Sequence, residues 1–162
     1  MKTMMSLVAV LLLCSCVYEA PLVEEAVIPV DPQLTGVWKE LAEEGKAEDP
    51  DDRMVILPFS KTEYVVIRPP GHDALYFRAY PIRVEGLELL QLEWLQADPD
   101  GDERYQVCRY AVQDGVLTVK TLNEDVISDE IKDSAALREA LLASRDNPDL
   151  FEEPDRYRKL ED

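Results

Sequence analysis

Gln106-Val107-Cys108-Arg109-Tyr110-Ala111-Val112-Gln113-Asp114-Gly115-Val116-Leu117-Thr118-Val119-Lys120-Thr121-Leu122 is the stretch that decides the fold. β-branched and aromatic residues crowd both sides of Asp114-Gly115, and an Asp-Gly pair tolerates the positive φ values that a two-residue hairpin turn needs. The two flanks are therefore predicted to pair antiparallel. Alternation places Cys108, Tyr110 and Val112 on one face and Val107, Arg109 and Ala111 on the other; in the next strand Leu117, Val119 and Thr121 alternate with Val116, Thr118 and Lys120. Apolar residues occur on both faces, as expected where one side lines an interior and the other is partly covered.

The same pattern extends toward the N-terminus. Short β-rich runs predict strands at 35–41, 54–59, 64–68, 74–84, 87–96, 105–113 and 116–122, separated by turn signals. Glu85-Gly86 resembles Asp114-Gly115 as a tight turn. Pro69-Pro70-Gly71 bars regular pairing between the third and fourth strands, and Asp98-Pro99-Asp100-Gly101-Asp102-Glu103 makes a longer, charged loop. In the fifth strand Leu90, Leu92 and Trp94 share one side, assigned to the core, and Leu89, Gln91 and Glu93 share the other.

The period changes after Ile127. Asp133-Ser134 caps a helix near 134–146, where Leu137, Ala140 and Leu141 recur at three- and four-residue spacing, and Asn147-Pro148 ends it. The segment 149–160 is expected to return as a docked turn and a last short strand. The fold class is thus all-β with a C-terminal helix: a small antiparallel up-and-down β-barrel, with a β-sandwich or half-barrel as the alternative.

The N-terminus has a different character. Lys2 precedes an apolar run, Met4 to Leu13, of the length of an export signal and too short to span a bilayer as a helix. Leu13-Cys14-Ser15-Cys16 follows, and this arrangement resembles the lipobox of bacterial lipoproteins. The resemblance implies removal of residues 1–15 as a signal peptide and a diacylglyceryl thioether on Cys16, with a further acyl chain such as palmitate on the new amino terminus. Two or three buried chains hold a protein on a membrane where one binds reversibly. Val17 after the cysteine implies, by the same resemblance, sorting to the periplasmic side of the outer membrane. Residues 16–33, with three prolines and three glutamates and no consistent period, read as a lipidated flexible tether, and 34–162 as the barrel domain.

Gly36-Val37-Trp38 opens the first strand and looks like the Gly-x-Trp signature of lipocalins and related calycin barrels. In those proteins the Trp closes one barrel end and stacks against an Arg from near the last strand. The resemblance therefore implies a plug of Trp38 with Arg158 or Arg156, and a barrel able to carry a small apolar ligand. Tyr64, Tyr76, Tyr80 and Trp94 are the candidates for lining such a cavity. The family's Thr-Asp-Tyr motif is absent.

Charge and composition limit the functions open to the chain. Seventeen Lys and Arg against 34 Asp and Glu leave a net charge of −17, which repels nucleic-acid phosphates, so no nucleic-acid partner is expected. His72 is the single histidine, and His72 with Asp73 would be the base of an alternative envelope hydrolase, but no nucleophile stands near them in sequence. One histidine and one internal cysteine argue against zinc, and Asp98, Asp100 and Asp102 depart from a calcium loop at its later positions, so no metal or cofactor is expected beyond the covalent acyl chains. Cys108 reads as a small buried apolar residue. The expected function is non-catalytic: a membrane-held binding or scaffolding protein whose partner is an apolar small molecule or an envelope protein.

Overall fold

The computed structural model describes residues 17–42, 45–47, 49, 52–68, 74–96 and 104–160. Eight strands run in chain order around one closed antiparallel barrel: β1 (Gly36–Glu40), β2 (Arg53–Pro58), β3 (Tyr64–Arg68), β4 (Leu75–Val84), β5 (Leu87–Trp94), β6 (Tyr105–Gln113), β7 (Val116–Thr121) and β8 (Asp155–Lys159). One α-helix, α1 (Ser134–Ala143), interrupts the strands between β7 and β8, and a 3₁₀ turn, Pro32–Leu34, precedes β1. The sheet closes where β1 pairs with β8, Trp38 opposite Lys159 and Glu40 opposite Tyr157. Closure removes the exposed edges that a sandwich or half-barrel would leave.

The expected turns form for the expected reason. Asp114 and Gly115 have φ of 52° and 73°, and Glu85 and Gly86 have 46° and 87°, so both central residues of each hairpin are left-handed and match the twist of the flanking strands. Asp133 caps α1, its side chain accepting from the Ala136 amide at 2.8 Å. Short connections therefore gather at one barrel end, with the 3₁₀ turn and the β2–β3 turn. Longer connections gather at the other, which we term the mouth.

Two buried layers result. Inside the barrel, Trp38, Met54, Ile56, Tyr64, Val66, Phe77, Leu90, Cys108, Leu117 and Tyr157 pack into one cluster. Outside it, Tyr80, Ile82, Val84, Leu89 and Val107 on the outer faces of β4 to β6 form a second cluster with Tyr18, Leu22, Ile127, Leu137, Leu141 and Leu150. Cluster membership thus follows strand parity, Cys108 inside and Val107 outside, so one side of β6 lines the interior while the other is covered.

The second layer changes the picture of residues 17–33, read above as a flexible tether. The segment lies against the barrel wall and belongs to the domain. Tyr18 and Leu22 are fully buried. Tyr18 bridges Tyr105 through backbone bonds, and its hydroxyl donates to the Ile127 carbonyl at 3.0 Å. Proline and glutamate make the segment unfit for regular pairing, yet Tyr18 and Leu22 find an apolar outer wall to cover; each such burial stabilises by about 1.5–3 kcal/mol.

That cover explains a second departure. On β5, Leu90 and Leu92 face the interior as expected, but Trp94 lies half-exposed at the mouth, and the opposite face, Leu89 and Gln91, is fully buried. Gln91 is the one buried polar side chain among the described residues. Its Oε1 accepts from the Leu22 and Val23 amides at 2.7 and 3.0 Å, and its Nε2 donates to the Val23 carbonyl at 2.9 Å. Strand β5 also ends at Trp94 rather than Gln96: the Leu95 amide still reaches the Tyr76 carbonyl, but the Tyr76 amide donates to the Gln96 side chain instead of to backbone.

Candidate functional site

The closed end of the barrel is sealed by Trp38. Its indole is fully buried and donates through Nε1 to the Leu34 carbonyl at 2.8 Å. The cation over its ring is Lys159, with Nζ 5.4 Å from the centroid. The stack expected from Arg158 or Arg156 does not form, because register decides the face: Trp38 is opposite Lys159, so the two share a side, whereas Arg158 is opposite Lys39, and Arg156 and Arg158 both point to solvent. Lys159 also donates to the Gln33 carbonyl at 3.2 Å, tying the 3₁₀ turn to the last strand. Gly36 belongs to the same closure. Its φ is +134°, a conformation that side chains rarely allow, and a Cβ there would lie 2.8 Å from Lys159 Cε and push the Lys chain aside.

At the mouth, inward-facing positions become polar. Glu40 follows Trp38 by two residues on the same face, and Arg68 follows Tyr64 and Val66 likewise. Arg68 Nη2 donates to Glu40 Oε2 at 3.0 Å, and its guanidinium lies 5.4 Å from the centre of the Tyr157 ring. Asp52 hydrogen-bonds the Glu40 carboxyl and Asp155 lies nearby, so three carboxylates face one arginine. Burial first, and then the Asp52 bond, push the Glu40 carboxyl up to about 7, with Arg68 only partly offsetting them. Burial likewise raises the Tyr157 hydroxyl well above the usual tyrosine range. Glu40 can therefore hold its proton near neutral pH. Strand alternation alone carries the signal for this cluster, which was missed because it lies between acidic loop residues that look solvated.

A pH dependence follows. Glu40 binds its proton more tightly in the folded chain than in the unfolded one, so stability falls as pH rises from about 4.5 to about 7 and is level above. Glu40→Gln keeps both hydrogen bonds without the charge. Its denaturation midpoint is expected to match that of the unaltered chain at pH 5 and to exceed it at pH 8 by on the order of 1–3 kcal/mol in stability. Equal pH profiles of the two proteins would remove the raised Glu40 proton.

The four aromatic residues proposed to line a cavity are not brought together. Tyr64 is inside the barrel but fully packed, its hydroxyl donating to the Asp31 carbonyl at 3.1 Å. Tyr80 is buried on the outer wall beneath the N-terminal segment, donating to the Val23 carbonyl at 2.7 Å. Tyr76 and Trp94 stand on the mouth rim, 39% and 36% exposed. Cys108 faces the barrel interior, and burial pushes its thiol up to about 12, which leaves it protonated and unreactive. Cys16, His72 and Asp73 lie outside the described residues, as do Asp98, Asp100 and Asp102. Among the described residues no group of three or more His, Cys, Asp or Glu side chains is placed to hold a metal ion, and no helix is long and apolar enough to cross a membrane.

Outside the barrel, an open groove of about 700 Å³ runs between the N-terminal segment and the start of α1, lined by Glu19, Glu24, Arg104, Lys132 and Asp133 among others. Its walls carry both signs of charge, and Lys132 is bonded to Glu19 at 2.5 Å. Such a surface suits a polar or protein partner better than an apolar small molecule. The chain matches no protein-family profile, no curated protein and no solved structure.

Proposed function

We propose that this protein is a lipid-anchored lipoprotein of the bacterial envelope, held by acyl chains on Cys16, whose barrel is a filled, non-catalytic module for binding or scaffolding at the periplasmic face of the outer membrane. The observation that carries the anchor is the sequence Leu13-Cys14-Ser15-Cys16 directly after a charged residue and an apolar run. The described chain begins its packing two residues later, at Tyr18, so a signal cleaved before Cys16 would leave the domain entire.

The packed interior favours scaffolding over carriage. An eight-stranded barrel is just wide enough to fill itself or to hold one small ligand, and here Trp38, Tyr64, Phe77, Leu90 and Tyr157 occupy the middle. The 3₁₀ turn, the Gly-x-Trp opening and the helix before the last strand give the outline of small lipocalin-like barrels. Lys159 would take the role that an arginine plays in that family.

The test is Cys16→Ala expressed in a bacterial host. The altered protein is expected to leave the membrane fraction for the soluble one, and the unaltered protein's N-terminal peptide to carry the mass of a diacylglyceryl group and an acyl chain. Retention of Cys16→Ala on the membrane, or an N-terminal peptide without acyl mass, would refute the anchor.

A further inference from the structure

We propose that the mouth rim formed by Leu75, Tyr76, Trp94 and Leu95 sits in the headgroup region of the bilayer that holds the lipid, so that the barrel stands mouth-down on the membrane. The seat presupposes the lipid on Cys16 proposed above and adds an orientation to it. Leu75 and Tyr76 begin β4, and Trp94 and Leu95 end β5 beside them: Phe77 is opposite Trp94, the Leu95 amide donates to the Tyr76 carbonyl at 2.9 Å, and Gln96 bonds both the Tyr76 amide and the Ala74 carbonyl. The four are 36–53% exposed on a rim that is otherwise well bonded. Trp and Tyr favour the membrane–water interface because each joins an apolar ring to a polar tip.

Where the chain leaves the described residues decides the occupant. The Trp94 amide donates to the Arg104 carbonyl, and the Arg104 and Tyr105 amides donate to the Tyr18 carbonyl, so Tyr18, β6 and β5 lie side by side at the mouth. Two strand spacings put the Tyr18 backbone about 10 Å from that of Trp94. Cys16 is two residues further, a reach of at most about 7 Å. A lipid on Cys16 therefore holds the mouth within a short step of the headgroups, which form a layer about 5–7 Å deep on each side of the hydrocarbon. The exposed Leu57 and Phe59 lie at the closed end, remote from that attachment. The chain's net charge of −17 adds a condition: the seat belongs on a mainly zwitterionic leaflet, because anionic headgroups repel an acidic protein.

Mature lipidated protein in phosphatidylcholine vesicles with brominated acyl chains tests the seat, since bromine quenches only indoles that reach the lipid. Trp38, buried at the closed end, supplies an unquenched reference. Trp94 emission is expected to be quenched, Trp94→Phe to abolish the quenching, and rising phosphatidylglycerol content to weaken it. In a Trp94→Phe background, Phe59→Trp is expected to stay unquenched. Protein that floats with the vesicles but shows no Trp94 quenching, or quenching at Phe59→Trp instead, would overturn the seat and leave the anchor standing. Failure to float would overturn the anchor, and the seat with it.

Discussion

Trp38→Ala is expected to lower the unfolding free energy by about 3–5 kcal/mol, the usual cost of truncating a fully buried aromatic side chain. The indole is wholly removed from solvent at the closed end of the barrel, where the 3₁₀ turn, β1 and β8 meet. Its loss leaves a void between Met54, Tyr157 and Leu34, deprives the Leu34 carbonyl of its donor, and removes the ring beneath the Lys159 ammonium. A cation over an indole contributes about 0.5–2 kcal/mol, so most of the effect comes from the void rather than the stack. Lys159→Met separates the two: it should cost markedly less than Trp38→Ala in the same urea titration. A Trp38→Ala midpoint within error of the unaltered chain would remove the plug.

Gln91→Leu is the second large effect, expected at about 2–4 kcal/mol. Leucine preserves much of the side-chain volume, but the Leu22 and Val23 amides lose their acceptor, and a buried donor left without a partner costs about 1–3 kcal/mol. The Val23 carbonyl keeps the Tyr80 hydroxyl, which limits the damage on that side. The chain has a way to relieve the strain that Trp38→Ala does not offer: the N-terminal segment can lift off the wall and hydrate its amides. Detachment would expose Tyr18, Leu22 and the outer faces of β4 and β5. A glutamate-specific protease acting at Glu24 and Glu25 should therefore cut Gln91→Leu faster, about tenfold for each 1.4 kcal/mol by which the segment's docking is weakened. Unchanged cleavage together with an unchanged midpoint would show that Gln91 does not hold the segment.

Much of the barrel was legible one strand at a time. Asp114-Gly115 and Glu85-Gly86 mark hairpins because their backbone conformations are restricted locally, and residues 64–68, 105–113 and the Asp133 cap appear where their patterns placed them. Trp38 was legible as a buried residue at the barrel end. Its partner was not, because choosing between Arg158 and Lys159 needs the pairing of β1 with β8, two segments more than a hundred residues apart in sequence. A slip of one residue exchanges the two faces. The mouth cluster was hidden for a related reason. Glu40, Arg68 and Asp155 belong to three strands, and each alone resembles a solvated charge.

Residues 17–33 teach the same lesson from the other direction. Proline-rich, acidic and aperiodic, they carry the composition of a spacer, and composition reports only that a segment cannot form a regular element by itself. Whether it docks depends on a receiving surface. Ile82, Val84, Leu89 and Val107 supply one on the outer wall, and buried Gln91 supplies the hydrogen bonds that irregular backbone needs there.

The order of strands, the tight turns, the helix cap, the acidic surface and the lipobox-like N-terminus are determined by the sequence itself, since each depends on neighbouring residues or on summed charge. Closure of the sheet, the Lys159 stack, the raised proton affinity of Glu40 and the docking of the N-terminal segment were decided only by tertiary structure. They depend on register between distant segments, and local propensity cannot state which side chains end on the same face.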